Sequence, residues 1–577
     1  MSPTGSESTD SNTSIPRDDP KGPTTMHASP ARDPQFGAVS RRLVLGGFLG
    51  AAFSSLALAS CSGGGGGSGG NGGGSQGTGW TPPAYIPFDG VTPDLPGSDI
   101  GVAPAFFNYP HSPIAREDFP LPQTDGVTAL LQGGVPPTAP DQNEAYRLFR
   151  EQSGNLMEAV TINADEYRSR FQVVIAGGDI PDFMQMLTVP QLPQLLEAEF
   201  SDLTDILGGD GVAAYPGLAN IPTPSWTIPK INGRLWGIPQ PRPPAGRILS
   251  TRGDIFEEKG LDPYPDLNSG EDFIELLATL TDRGNDQFAL GTDPVSWLLN
   301  GLLEMMEAPN TWAVEGGTFT HMFNSPQMVE ALNEGKKIID AGYLHPNSFS
   351  DPGQHNTWWR AGTTCMLWQS FAGWGTFARS EPSWNIGYVR LPKWAGGGKA
   401  PLWKLQAGYP AFVAIKKQTS DARLEELLRI ADFIASPFGT EQFLTVNYGA
   451  EGFTYERQDG EPEFLPDQRP NTVQGWQYCG ANANAVLYAP GQDGMVRRQH
   501  AYLEEVIPAG TENPTLGLYS ETAVTAGASW EQRTGDMLRE VLRGAQPVSA
   551  WETMASDWKA DVGDKMAAEY GEAAAAG

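Results

Sequence analysis

Cysteine and histidine are scarce in this chain, and each scarcity removes a class of chemistry. The 577 residues include 3 cysteines and 6 histidines. No cysteines stand at zinc spacing, and no HExxH helix is present. His345 and His355, with Asp351 between them, are the nearest approach to a ligand cluster and read as loop surface. A GxSxG nucleophile elbow is also missing. Positive charge is sparse: 38 Lys and Arg face 68 Asp and Glu, a net charge of −30. An acidic surface repels phosphate backbones and anionic headgroups, which argues against nucleic acid as a partner. It argues mildly against a polyanionic substrate too, unless a local basic pocket overrides it. Beyond the first 61 residues no apolar run resembles a membrane span. No metal and no cofactor are expected.

What is present suits an exported two-lobed body. Hydrophobic residues make up 39% and aromatics 10%, enough for real cores, and the length accommodates two lobes. Residues 1–39 are rich in Ser, Thr, Pro and Asp and read as disordered. Arg41 and Arg42 then precede an apolar run ending in Leu58, Ala59, Ser60 and Cys61. The run is short for a span and closes on small residues. A twin arginine in this place resembles a Tat export signal, and the closing tetrad resembles a lipobox, which would make Cys61 the lipidated N-terminus. Gly and Ser fill most of 62–79, a flexible tether with an r.m.s. reach of roughly 20–25 Å. Cys365 and Cys479 read as buried thiols rather than a bridge.

Along the body, apolar periodicity and turn residues mark alternating elements. Residues 80–123 are dense in proline and read as an extended arm laid on the body. A first strand is expected over 126–132. Asp141, with Glu144 three residues on, is expected to cap the next helix, which ends at Gly154. A second strand covers 157–162, and Asn163 or Asp165 opens a helix carrying Tyr167, Phe171, Val174 and Ile175 at helical spacing. Gly177 and Gly178 stop it, and a strand follows over 183–187. Such alternation predicts a parallel α/β sheet, whose ligands collect beyond the carboxyl ends of the strands. Asn232 and Gly233 supply the turn of a type I′ hairpin within 230–239. Residues 247–252, 386–391 and 409–415 read as strands. Residues 254–259, 270–280, 297–307, 326–341 and 420–435 read as helices, and 530–570 as mostly helical. Trp312 and Phe319 fall in a glycine-rich loop. Residues 361–374 run from a glycine turn into an apolar strand that opens into a loop rich in Trp and Gly.

Six stretches, in order, carry a family resemblance. They are the Gly177–Gly178–Asp179–Ile180–Pro181–Asp182 turn, the KINGRLWGIP hairpin at 230–239, and a strand, Arg252-x-Asp254, short helix and GLDPYP connection from 247 onward. The rest are 361–374 (AGTTCMLWQSFAGW), 447–456 (NYGAEGFTYE), and the closing Trp551, Trp558, Gly563-Asp564-Lys565 and Glu569-Tyr570. Together they resemble the bacterial extracellular solute-binding protein family 1, in its large lipoprotein subgroup linked to oligosaccharide uptake. The resemblance covers 141–570. It implies an α/β, two-lobed, clam-shell fold of the type II periplasmic-binding class, with lobe one at 80–247 plus 400–448 and lobe two at 248–399 plus 449–577. Gly396, Gly397 and Gly398 look like a crossover between lobes. Departures are the proline-rich arm, Cys365 where alanine is usual, and residues 282–286. That last stretch is too short, with Arg283 inside it, to bind the calcium ion of many relatives.

The resemblance also implies a function and a site. The protein would sit on the extracytoplasmic face of the membrane, held there by its lipid alone. As a monomer it would bind a sugar between closing lobes and pass it to the transmembrane subunits of an ABC permease. Contacts are expected at Gln185, Trp236, Trp312, Trp368, Phe371, Trp374, Tyr409, Tyr448 and Glu451, with Asp179 and Asp182 capping turns. Aromatic rings cover the C–H face of a pyranose, and amides, carboxylates and arginines take its hydroxyls. Arg242 and Arg247 are candidates for gripping an acidic sugar. The rival readings are an exported carbohydrate-active enzyme, for which 68 acidic residues leave room, and a ligand sensor on the same fold.

Overall fold

A computed structural model of the chain describes residues 81–123 and 126–576. The twin arginines, Cys61 and the Gly/Ser tether lie outside the described residues.

Two mixed sheets organise the body. The first has five strands, in spatial order Met157–Ile162, Val127–Gln132, Phe183–Gln185, Gly408–Ile415 and Ile238–Pro241. The first three are parallel, as expected. Gly408–Ile415 runs antiparallel to both its neighbours, which a purely parallel sheet would not allow. Connectivity gives the reason. The chain leaves this sheet at the carboxyl end of Ile238–Pro241 and returns at that same end, so the returning strand must run the other way.

The second sheet orders Gly387–Val389, Arg247–Thr251, Thr364–Ser370 and Phe288–Leu290. Here the incoming strand, Arg247–Thr251, is the antiparallel one. Ser370 pairs with Arg247, so the carboxyl end of Thr364–Ser370 lies where the chain arrives. In both sheets, therefore, the parallel strands point their carboxyl ends at the crossing segments 242–246 and 400–407. The crossings are tied to each other: Arg242 N donates to Ala407 O at 3.1 Å, and Leu405 N to Pro244 O at 3.3 Å.

A core backs each sheet. Phe149, Phe183, Trp226, Phe433 and Trp476 belong to the first, and Phe256, Phe273, Leu303, Trp368 and Trp551 to the second. Cys479 sits in the first core and Cys365 in the second, so both are free thiols. Burial pushes Cys365 up to about 12, which keeps it protonated and unreactive.

Local sequence explains most boundaries. Ser269 caps the helix Gly270–Leu280 by accepting from Asp272 N at 3.2 Å. Asn232 (φ 49°) and Gly233 (φ 76°) make the left-handed pair of the expected hairpin. The helix Glu144–Ser153 is capped by Asn143 rather than Asp141, because Asn143 holds the extended backbone of a cap and its side chain accepts from Ala145 N at 2.9 Å. The proline-rich arm does lie along the body. Ala105–Phe106 pairs with Leu487–Tyr488, and Tyr109 packs on Phe438 and Phe443.

Three further readings need correction. The glycine-rich loop after residue 311 is a hairpin, Trp312–Glu315 against Thr318–His321. Gly396, Gly397 and Gly398 form a tight turn inside the second-sheet region, closed by Lys393 N donating to Gly398 O at 2.9 Å. The loop expected after Ser370 is a helix, Phe371–Ser380. A Cβ at Gly373 would lie 2.5 Å from Gln369 Oε1, so a larger residue there requires that side chain to shift. No helix among the described residues is long and apolar enough to cross a membrane.

Candidate ligand-binding site

The meeting of carboxyl ends leaves a cavity of about 990 Å³, at the top of the ~300–1,000 Å³ range of small-molecule sites. Gln240 and Arg242 enter it from the last strand of the first sheet and the crossing beyond. Asn447 and Tyr448 come from the end of the helix Glu441–Asn447, and Phe464 from the hairpin strand Glu461–Phe464. Thr376, on the helix that follows the second-sheet strand Thr364–Ser370, comes from the other side. The segment 472–492 supplies Gln474, Gln477, Tyr478, Asn484, Tyr488 and Gln492. It is held there by its apolar members. Val473, Trp476 and Cys479 plunge into the first core, which turns the residues between them toward the cavity. Gln492 Nε2 donates to Ala378 O at 3.1 Å and ties the segment to the helix that carries Thr376.

Amides and phenols dominate the lining. Tyr478 meets Tyr409 with ring centroids 4.8 Å apart, and Tyr448 stacks on Phe464 at 5.0 Å. Burial pushes the Tyr478 hydroxyl above its ordinary pKa, and Tyr409 adds to the shift. It is therefore a neutral donor and acceptor at any physiological pH. Charge is limited to Arg242, Arg469 and Glu463. Such a wall offers flat apolar faces and many hydrogen-bonding groups with little fixed charge.

Comparison with known proteins agrees with this layout. No family model matches the chain. Lipoprotein LipO of Bacillus subtilis (strain 168) is 20% identical over 462 residues, covering 75% of this chain and 88% of that protein. The polygalacturonan/rhamnogalacturonan-binding protein YtcQ of the same organism is 20% identical over 456 residues, with the same coverage of each. Among solved structures, the N-glycan transport solute binding protein of Streptococcus pneumoniae superposes with a TM-score of 0.58 at 16% identity, over 78% of this chain and 99% of that one. This chain has the fold of the ABC solute-binding proteins. The two-lobed α/β architecture expected from its motifs is the one found, and the proteins it resembles are binding proteins and lipoproteins by name.

Within that solute-binding fold, the residues expected to touch ligand are spread widely. Tyr448 lines the cavity. Tyr409 stands one ring behind the wall, its hydroxyl donating to Gln132 Oε1 at 3.0 Å. The others lie away from it. Gln185 is fully buried in the first sheet and accepts from Gln132 N at 2.8 Å. Trp236 packs with Phe171 and Phe412, and Trp312 with Phe319 and Trp558. Trp368 is in the second core; Phe371 and Trp374 pack with Tyr502 and Leu503. Glu451 is exposed, 3.8 Å from Arg457 Nε. For Phe371 and Trp374 the reason is the helix found where a loop was expected, since residues three apart share its inward face.

The segment 472–492 was missed, although the sequence carries a signal for it. From Pro470 to Gln492 there is no charged residue or histidine, in a chain that is 18% charged, yet six amides occur. An uncharged, amide-rich run with Trp476, Tyr478 and Tyr488 is neither ordinary surface nor ordinary core.

Proposed function

We propose that this chain is an extracytoplasmic solute-binding protein that captures a carbohydrate, an oligosaccharide, in the cavity and delivers it to an ABC-type permease. The observation that carries the reading is the lining of amides and tyrosines at the carboxyl ends of two sheets. A buried hydroxyl without a partner costs free energy, so a sugar needs dense hydrogen bonding around it and a flat ring against its C–H face. The printed names of YtcQ and of the pneumococcal N-glycan protein support a carbohydrate. In this reading the first and second sheets belong to separate lobes. Ligand touches both lobes only when they are shut, so binding favours closure. The closed form docks on the permease, and Cys61 anchors the monomer through the 61–79 tether after Tat-type export.

The protein binds and releases without chemistry. Hydrolysis of a glycosidic bond needs two carboxylates across the ligand, and among the described lining residues Glu463 is the one carboxylate.

The test uses the full chain kept unlipidated by Cys61→Ser. Melting temperature and tryptophan fluorescence are followed against neutral and acidic oligosaccharides. A saturable rise in melting temperature with the sugar recovered intact is expected. Shortened sugar would move the assignment to an exported enzyme, and silence toward every sugar would sink the carbohydrate reading. With a responding sugar in hand, Tyr478→Ala is expected to weaken binding about tenfold, as the loss of a central aromatic contact does. Isothermal titration checks this, and an unchanged affinity would take Tyr478 out of the site.

A further inference from the structure

Of the three charged residues that line the cavity, Arg242 is the one drawn out of solvent, and no carboxylate among the described residues forms an ion pair with it. Arg242 sits on the crossing segment just past the strand Ile238–Pro241. Its Cζ lies over the Tyr409 ring, 5.1 Å from the centroid, and Nη2 donates to Gln240 Oε1 at 3.2 Å. Nε is buried with no hydrogen-bond partner. The groups close enough to act on its charge are Tyr478 and Tyr409, and burial holds its pKa below the ordinary value. Arg247 likewise has no ion pair among the described residues, but its Nη1 donates to Ser296 O at 3.4 Å, and Glu304 offsets part of its burial; other arginines drawn into the body are matched by acids. Arg116 holds Asp432 and Asp118, Arg252 holds Asp254, and Arg423 holds Asp182. A partly desolvated cation without a counter-ion is destabilising. Facing a ligand cavity, such a cation is matched only when an anion arrives.

The geometry points to a carboxylate-reading position at Arg242, so that the ligand is an acidic oligosaccharide whose uronic-acid carboxylate lies on this guanidinium. The inference rests on the oligosaccharide reading above and names its substrate class. A guanidinium takes a carboxylate through two parallel N–H donors, a geometry that an ammonium cannot offer. Tyr478, which lines the cavity near Arg242, offers the sugar ring a flat surface beside its acid group. Arg469 is exposed at the rim over Phe464 and adds only a screened attraction. The net charge of −30 works against polyanions at long range, so recognition depends on this local contact.

The experiment is isothermal titration of the full chain, with Cys61→Ser, using trigalacturonate, trimannuronate and the carboxyl-reduced neutral counterpart of each. At least one uronate is expected to bind about tenfold or more tightly than its reduced counterpart. Arg242→Gln is expected to weaken that uronate about 10- to 100-fold, to leave the neutral sugar within a few fold, and not to lower the melting temperature of the unliganded protein. Arg242→Lys is expected to recover little of the loss. Reduced sugars that bind as tightly as the uronates would overturn the inference and leave the carbohydrate reading intact. So would an Arg242→Gln variant that weakens acidic and neutral sugars equally, or one that melts several degrees lower, because either marks a structural role. If none of these sugars binds and the wider panel is also silent, both readings fall. If only other, neutral sugars bind, this one falls alone.

Discussion

Replacing Asp432 with alanine is expected to lower the stability of the first-sheet region by about 3–5 kcal/mol, the cost of breaking a buried ion pair from one side. Asp432 lies on the helix Asp421–Ile434 and is fully buried. It meets Arg116 of the proline-rich arm, whose Nη1 also donates to Asp432 O at 2.9 Å. Its Oδ1 accepts from Gly217 N at 2.6 Å and Leu218 N at 3.1 Å. One carboxylate thus joins the arm, a helix and the turn Pro216–Ala219. Alanine leaves the guanidinium with the half-exposed Asp118, at 2.8 Å, as its remaining close carboxylate, beside the carbonyl of residue 432 and Ser436 Oγ, and leaves two buried N–H groups unmatched. Asp432→Asn keeps an acceptor for those N–H groups and is expected to cost less. Adding Arg116→Met to Asp432→Ala is expected to recover the part due to the stranded charge, because apolar replacement of both ions is often nearly neutral. Denaturant unfolding followed by tryptophan fluorescence reads all three variants. An Asp432→Ala loss below about 1 kcal/mol would show that water reaches the pair and that it behaves as a surface contact.

How much of this was legible from sequence depends on the reach of each signal. Caps, turns and periodicity are local, and the structure follows them at Gly270–Leu280, at the Asn232–Gly233 hairpin and at the parallel strands Val127–Gln132 and Met157–Ile162. Strand direction at Gly408–Ile415 is not local. It follows from a return to the first sheet after more than a hundred residues spent elsewhere. Tryptophan misleads for a related reason. The same ring can floor a sugar site or fill a core, and Trp226, Trp359, Trp374, Trp476 and Trp551 are among the largest fully buried side chains. Their neighbours in sequence do not reveal which. The cavity draws on residues near 240, 376, 447, 464 and 478, which no window of sequence contains together. What sequence does carry is the lack of charge from 470 to 492, a compositional trace of a wall that must be polar without being ionised.

Two buried titratable groups in the second-sheet region are expected to pull stability in opposite directions with pH. Glu304, on the helix Asn300–Met305, is fully desolvated and its Oε2 has no partner. Burial raises it from 4.5 to about 7, with Arg247 and Arg390 opposing the shift. The folded state therefore keeps a proton that the unfolded chain releases above pH 4.5. Stability is fully present below pH 4.5 and falls by about 3 kcal/mol as pH rises to 7. His321 is the mirror case. It is enclosed by Trp312, Trp558 and Phe323, and its Nδ1 accepts from Phe323 N at 3.2 Å. Burial lowers it from 6.5 to about 3, so the unfolded chain binds a proton that the folded one refuses. Stability is fully present above pH 6.5 and falls by about 5 kcal/mol as pH drops to 3. Between pH 4.5 and 6.5 the two slopes cancel, and the contribution of the pair is flat. Glu304→Gln removes the falling term, so the stability of that variant relative to the parent is expected to climb across this window by more than 2 kcal/mol. His321→Phe removes the rising term, and its relative stability is expected to drop by a similar amount. Denaturation midpoints at half-unit pH steps read both slopes. Parallel curves for parent and variants would mean that water reaches these groups. Opposite slopes relative to the parent would show that two buried groups, each held neutral by the fold, balance each other across mildly acidic pH.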